Sequence, residues 1–289
     1  MMPFPYHGRF APSPTGPLHF GSLLAALGSW LLARQAGGTW HVRIEDIDPP
    51  RTVAGAAEAQ LRTLHAFALH PDAPVVRQSE RHPLYTQALD TLMQRGLAFR
   101  CGCSRADLAA VGGIHHRCVA PPSRGQHAVR LRVLPGHRTG FIDGVQGRIE
   151  QDVHAEIGDF VLRRSDGHWA YQLAVVVDDA EQGITDVVRG ADLLDSTPRQ
   201  ILLHESLGLR PPRYLHLPLA LDMAGRKLSK SDAARPLDDN DPMPALRRAW
   251  VHLGQPPEAL PSCGGAAQML QRMLQHFNPG RIPPKSSPS

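Results

Sequence analysis

Three groups of residues in this chain have types and spacings that could do chemistry. The stretch RFAPSPTGPLHFGS, residues 9–22, crowds prolines, glycines and a histidine in front of the amphipathic run LLAALGSWLLARQ. A strand, a tight Pro/Gly turn and a helix start aim unpaired backbone N–H groups and a helix dipole at one spot, which suits a phosphate. His19 stands just before that helix, where an imidazole can donate to a phosphate oxygen, and Gly21 lets a ligand come close to the backbone. Far along the chain, KLSKS places Lys227 and Lys230 three apart in a Gly- and Ser-containing loop. Mobile ammonium groups there can fold over a triphosphate and neutralise charge as pyrophosphate departs. Between them, CGCSRADLAAVGGIHHRC offers Cys101, Cys103, His115 or His116, and Cys118. Four soft donors arranged two by two across a Gly-Gly turn suit a structural, tetrahedral zinc ion. Each group has a plainer reading: a capped proline turn, a solvated lysine patch, a set of reduced thiols. The first two together are far more specific than either alone.

These residues need elements to position them. RFA reads as a short strand, and Leu23, Leu24, Leu27, Trp30 and Leu31 recur at helical spacing until Gly37-Gly38. WHVRIE alternates Trp40, Val42 and Ile44 as a strand. Ser79 is a candidate N-cap for a helix running towards Arg95 with Gly96 beyond it, and LAFRC is extended again. Strands alternating with helices predict an α/β fold, a Rossmann-like parallel sheet wound in βαβ units. From Cys101 to Trp169 the texture changes to short β-like pieces between Gly- and Pro-rich turns, an insertion with its own small sheet. YQLAVVVDD reads as a buried strand and DSTPRQILLHESLG as a helix capped by Thr197 with Pro198 in its first turn. YLHLPLALD reads as another strand leading into the KLSKS loop. The expected organisation is a first core half (1–100), the zinc-bearing insertion (101–169), and a second core half with the lysine loop (170–235). A short helical C-terminal region (236–278) and a disordered tail (279–289) complete it.

At 289 residues the chain can bury a substantial core, and 31 Lys+Arg against 27 Asp+Glu permit a polyanionic partner without demanding one. The N-terminus lacks an apolar signal-peptide region. The apolar run Leu23–Ala33 is too short for a bilayer that needs about 20 residues. The four cysteines do not read as a disulfide framework, and Cys263, without a partner, reads as packed. A cytoplasmic monomer without membrane contact is expected.

HFGS is similar to the HIGH motif and KLSKS to the KMSKS motif of class I aminoacyl-tRNA synthetases. With RIEDID, VVVDDAEQGITDVVRGADLLDSTPRQ and LPLALDMAGRKLSKSD, residues 8–235 resemble the glutamyl-tRNA synthetase catalytic domain. Ser22 stands for the last histidine of HIGH, leaving that role to His19, and Leu228 stands for the methionine of KMSKS. The chain ends without the helical anticodon-binding domain of a full synthetase, and it carries the cysteine cluster. Together these resemble the truncated branch of the family that attaches glutamate to queuosine in the anticodon of tRNA(Asp).

The resemblance implies a class I core and ATP-dependent activation of L-glutamate to glutamyl-adenylate. His19 and Gly21 would hold ATP, and Lys227 and Lys230 would meet the leaving pyrophosphate with Mg²⁺. Arg9 and Arg189 would serve as forks for the two carboxylates, Glu45 would take the ammonium, and Ala11, Ser13 and Tyr171 would line the pocket. The third metal ligand, often a tyrosine in the family, is His115 here. The implied partners are ATP, L-glutamate and the queuosine-bearing anticodon stem-loop of tRNA(Asp), held in part by an acceptor-binding insertion. Competing readings are a compact glutamyl-tRNA synthetase charging the tRNA 3′ end, a nucleotidyltransferase or amide-forming ligase on the same fold, and a catalytically dead, zinc-stabilised RNA-binding module.

Overall fold

A computed structural model describes residues 5–120, 127–219, 235–260 and 264–284. Lys227, Lys230 and Cys263 lie outside the described residues. Strands β1 (His7–Phe10), β2 (Thr39–Ile44) and β3 (Val76–Arg77) are joined by helices α1 (Phe20–Gln35) and α2 (Ala56–Ala66). The chain then runs through α3 (His82–Gln94) and the insertion before returning with α6 (Tyr171–Glu181), β9 (Asp186–Gly190), α7 (Thr197–Leu207) and β10 (Arg213–Leu217). The five strands form one parallel sheet in the order β10-β9-β1-β2-β3. The order reverses beside β1, since the chain builds outward first through β2 and later through β9. In such sheets ligands bind beyond the carboxyl ends of the strands at that reversal.

The insertion carries β4 (Ala98–Cys101), α4 (Arg105–Ala109), β5 (Ala128–Leu131), the hairpin β6 (Arg138–Asp143) and β7 (Gly147–Asp152), α5 (Val153–Glu156) and β8 (Phe160–Arg163). Strands β4, β5 and β8 make an antiparallel sheet. Its inward residues Leu131, Val133, Phe160 and Leu162 share one core with Leu89 and Leu92 of α3 and Leu173–Val177 of α6. The insertion is therefore built onto the catalytic core rather than hung from it.

Helix α1 is apolar on more than one face because it is covered twice. Leu23, Leu27 and Leu31 pack in a core with Phe10, Trp40 and Val42 of the sheet. The same core contains Leu246 and Trp250 of α8 (Pro242–His252) and Met269 and Met273 of α9 (Ala266–His276). Ile282 belongs to it too and is 5% exposed. The expected disordered tail is thus corrected for residues 279–284, which pack on the body of the protein because Ile282 supplies an apolar anchor. Among the described residues no helix is long and apolar enough to cross a membrane.

Three local expectations are also corrected. YQLAVVVDD is not a strand but helix α6. An unbroken apolar run does not separate a buried strand from a buried helix, and packing on several sides overrides the strand preference of valine. Helix α3 starts at His82 rather than after Ser79, because the Ser79 N–H and hydroxyl both donate to Asp46 (2.8 Å each). Thr197 is the first residue of α7, not its cap, which is Ser196.

Helix α6 also carries the densest ion pairing in the core. Asp179 accepts from Arg9 Nε and Nη2 (3.2 and 3.3 Å) and from Arg43 Nη2 (2.7 Å). Asp178 accepts from Gln78 (2.7 Å), Arg81 (2.6 Å) and the Tyr85 hydroxyl (2.8 Å). Burial pushes the Asp179 carboxyl up, but Arg9 and Arg43 outweigh it and hold it at about 2. A depressed carboxylate contributes stability above its unfolded pKa of about 4, and that contribution is lost as pH falls through the folded value. Asp179→Asn should therefore cost about 3–5 kcal/mol at neutral pH, the scale of a broken buried pair, in urea unfolding. The gap between variant and parent should narrow as pH falls from about 4 towards 2.

Candidate active site and metal centre

At the start of α1, His19 is the N-cap and its Nδ1 accepts from the Ser22 backbone N–H (3.3 Å). Accepting at Nδ1 leaves the proton of the neutral ring on Nε2, where it can donate to a ligand. Burial pushes the His19 pKa down, opposed by the nearby Asp192, which favours the neutral ring. A Cβ on Gly21 would lie 3.1 and 3.2 Å from the imidazole, a tight contact that would make the ring give way by a few tenths of an ångström. Helix α1 carries no acidic residue in that turn to oppose an anion.

Beyond the carboxyl ends of β1, β2 and β9 lies a second group. Arg9 is buried on β1 with Nε and Nη2 taken by Asp179, so Nη1 is the nitrogen that Asp179 leaves to a ligand. Glu45, just past β2, is buried, and its N–H donates to the Pro12 carbonyl (2.9 Å), tying it to the Ala11–Ser13 turn. Burial pushes its carboxyl up, and Arg43 reaches it only at 3.4 Å. Arg189 on β9 donates to the Tyr171 hydroxyl (3.3 Å), to Thr197 Oγ1 (2.8 Å) and to the Leu193 carbonyl (3.3 Å). Burial raises the Tyr171 pKa, and the charges of Arg189, Glu45 and Arg9 all act on its hydroxyl. Two guanidinium groups, one carboxylate and a phenol therefore converge on one spot, an arrangement suited to a zwitterion with an extra carboxylate.

The cysteine cluster lies apart, with its own small apolar surround of Leu108, Phe99 and Ala120. Cys101, Cys103, His115 and Cys118 place their ligand atoms within 4.8 Å of one another. Ser104 caps α4 directly after Cys103, and Gly112 and Gly113, at φ of 92° and 83°, turn the chain back so that His115 arrives opposite. His115 Nε2 lies 3.1 Å from Cys101 Sγ, while Nδ1 is held by Asp159 Oδ2 at 2.9 Å. Its neighbour His116 instead lies against His154, with ring centroids 4.6 Å apart and the planes tilted by 38°. Three sulfurs and one imidazole whose outer nitrogen is bound by a carboxylate fit a tetrahedral metal ion.

The chain matches the family "tRNA synthetases class I (E and Q), catalytic domain" over residues 6–121 and 120–276. A glutamyl-Q tRNA(Asp) synthetase from Xanthomonas campestris pv. campestris (strain 8004) is 68% identical over 283 residues, covering 98% of this chain and 95% of that protein. One of the same name from Pseudomonas aeruginosa (strain UCBPP-PA14) is 50% identical over 280 residues, 96% of this chain and 95% of that protein. The chain belongs to the glutamyl-Q tRNA(Asp) synthetase family. The fold is also that of a crystal structure of a glutamate tRNA ligase from Elizabethkingia meningosepticum CCUG26117 in complex with its amino acid, with a TM-score of 0.82 at 25% identity. That match covers 98% of this chain and 66% of the ligase. As a family member, the protein is a ligase of the class I synthetase type that activates and transfers glutamate.

Sequence reasoning about this site did not name the residues that hold the expected side chains in place. Arg43, Asp179, His216 and Asp159 were not among the expected site residues. Trp40, Val42 and Ile44 mark the apolar face of β2, which puts Arg43 on a face that reads as solvated; α6 covers that face. Asp159 had no signal at all, since it reaches His115 across 44 positions of sequence. Gly21→Ala should push the His19 ring off the helix start. We expect at least a tenfold fall in glutamate-dependent ATP–pyrophosphate exchange, of the order of one lost transition-state contact, with an unchanged thermal melt.

Proposed function

We propose that the protein activates L-glutamate with ATP in the absence of tRNA and transfers the glutamyl group to queuosine in the anticodon of tRNA(Asp). The observation that carries the reading is that Arg189 bonds the Tyr171 hydroxyl while the charges of Glu45 and Arg9 also act on it. Arg189, with Nη1 of Arg9, binds the two carboxylates of glutamate, and Glu45 takes the ammonium. The ammonium adds a cation to a buried carboxylate whose burial still pushes its pKa up despite Arg43. Ala11 and Ser13 add contacts from the turn after β1.

The α-carboxylate oxygen then attacks the α-phosphorus of ATP; a C–O–P bond forms, the α–β anhydride breaks and pyrophosphate leaves. His19 Nε2–H and the N–H groups of the first turn of α1, with Gly21 among them, hold the phosphates. Lys227 and Lys230 meet the charge on the leaving pyrophosphate, and Mg²⁺ bound with ATP adds positive charge there. In the second step a hydroxyl of the queuosine cis-diol attacks the activated carbonyl, and AMP leaves. The near full-length likeness to proteins named for this reaction supports the acceptor assignment. In this reading the enzyme works in the cytoplasm as a monomer.

The second reading, a compact enzyme charging the tRNA 3′ end, draws on the likeness to the glutamate tRNA ligase. Two substrates separate them: tRNA(Asp) trimmed of its CCA end, and intact tRNA(Asp) lacking queuosine. We expect glutamylation of the trimmed molecule, none of the unmodified one, and glutamate-dependent exchange without tRNA; the opposite acceptor pattern restores the 3′-end reading.

The Cys101, Cys103, His115 and Cys118 cluster holds one structural zinc in this account. It contributes folding energy to the insertion rather than chemistry. Elemental analysis should give about one zinc per chain. Asp159→Asn should weaken the metal by about 10–100-fold in chelator competition, and a metal-free preparation with unchanged stability would remove zinc from the account.

A further inference from the structure

A buried line of polar groups runs from the insertion into the carboxylate pocket. At the turn of the β6–β7 hairpin, Asp143 Oδ1 accepts from the backbone N–H groups of Val145 (3.0 Å), Gln146 (2.8 Å) and His216 (3.1 Å). Its Oδ2 lies 2.6 Å from His216 Nδ1, and both side chains are fully buried. His216, on β10, places Nε2 3.1 Å from Arg189 Nε. An arginine Nε always carries hydrogen, so His216 Nε2 must accept, and the ring proton must sit on Nδ1 and point at Asp143. One neutral tautomer satisfies all three residues. Burial pushes the His216 pKa down, which favours that neutral form. Burial also pushes Asp143 up, but the bonds from His216, Gln146 and Val145 outweigh it and keep it an anion.

The two arginines of the pocket consequently differ. Arg9 is neutralised directly by Asp179. Among the described residues, no carboxylate lies within ion-pair distance of Arg189; its partners are a phenol, a hydroxyl, a carbonyl and an imidazole. We propose that Asp143 and His216 are positioning residues that hold Arg189 without a carboxylate partner of its own, so that its Nη1 meets a substrate carboxylate, with Asp143 balancing its charge through the imidazole at one remove. The inference rests on Arg189 being a carboxylate-binding residue. It makes glutamate affinity depend on docking of the insertion's hairpin against β10. That docking is supported by Gly144 N–H donating to the Tyr214 carbonyl (2.9 Å) and Gln146 donating to the His216 carbonyl (2.9 Å).

The test is glutamate-dependent ATP–pyrophosphate exchange on the full chain, comparing D143N, H216Q and R189A with the parent. In D143N an amide N–H faces His216 Nδ1 and moves the ring proton to Nε2, against the Arg189 Nε–H. Glutamate KM should rise about tenfold, the scale of a hydrogen bond to a charged group, with ATP KM unchanged. H216Q keeps an acceptor for Arg189 but not the link to Asp143, and should raise glutamate KM by less than D143N yet by at least about threefold. A merely structural role would lower kcat through loss of active protein and leave both KM values in place, and that result overturns the proposal. If D143N does not fold, H216Q decides, an unchanged glutamate KM overturning it. Should R189A raise glutamate KM while D143N and H216Q do not, the positioning role fails and the assignment of Arg189 stands. An R189A enzyme with unchanged glutamate KM sinks both.

Discussion

Two consecutive aspartates on one helix tie the catalytic core together. Successive helical residues point about 100° apart, so Asp178 and Asp179 reach different neighbours. Asp179 takes the arginines of β1 and β2, whereas Asp178 takes Gln78, Arg81 and Tyr85 from the segment after β3. Desolvating so many ions is costly, and only multiple short, charge-assisted bonds offset it. The return is geometric. Arg9 and Glu45 sit at the ends of strands whose relative placement is set by a helix packed across them.

The same network gives the pocket an uneven charge distribution. Around Arg9 and Arg43 the positive charge is locally cancelled by Asp179. Around Arg189 the charge is balanced only at a distance, through His216 and Asp143. A buried guanidinium of that kind favours an incoming anion strongly, because the interior screens charge less than water does. The insertion thus contacts Arg189 through Asp143 and His216, although its cysteine cluster lies apart.

Helix α1 shows how one element serves stability and function at once. Its middle is covered on one side by the sheet and on the other by α8 and α9, which fixes its axis. Its first turn stays accessible, capped by an imidazole instead of the usual Ser, Thr, Asp or Asn. A hydroxyl or carboxylate cap would satisfy the helix equally well; an imidazole keeps a second nitrogen with a proton to offer.

The alternation of strands and helices around RFA, WHVRIE and DSTPRQ and the donor set of the cysteine cluster were legible from the chain alone. Each is a local matter: periodicity, turn chemistry, and the pairing of residue type with spacing. The state of YQLAVVVDD was not, because a run buried on several sides carries no amphipathic signal. Nor was the choice between His115 and His116 settled by their adjacency; Asp159, far away in sequence, selects His115 by binding its outer nitrogen. Ile282 and Arg43 mislead for the same reason, since what covers a residue depends on elements distant in the chain. The sequence by itself determined which chemistry the protein carries. Tertiary structure alone decided which charges are cancelled and which stay open, because desolvation and pairing arise only when separate elements close over one another.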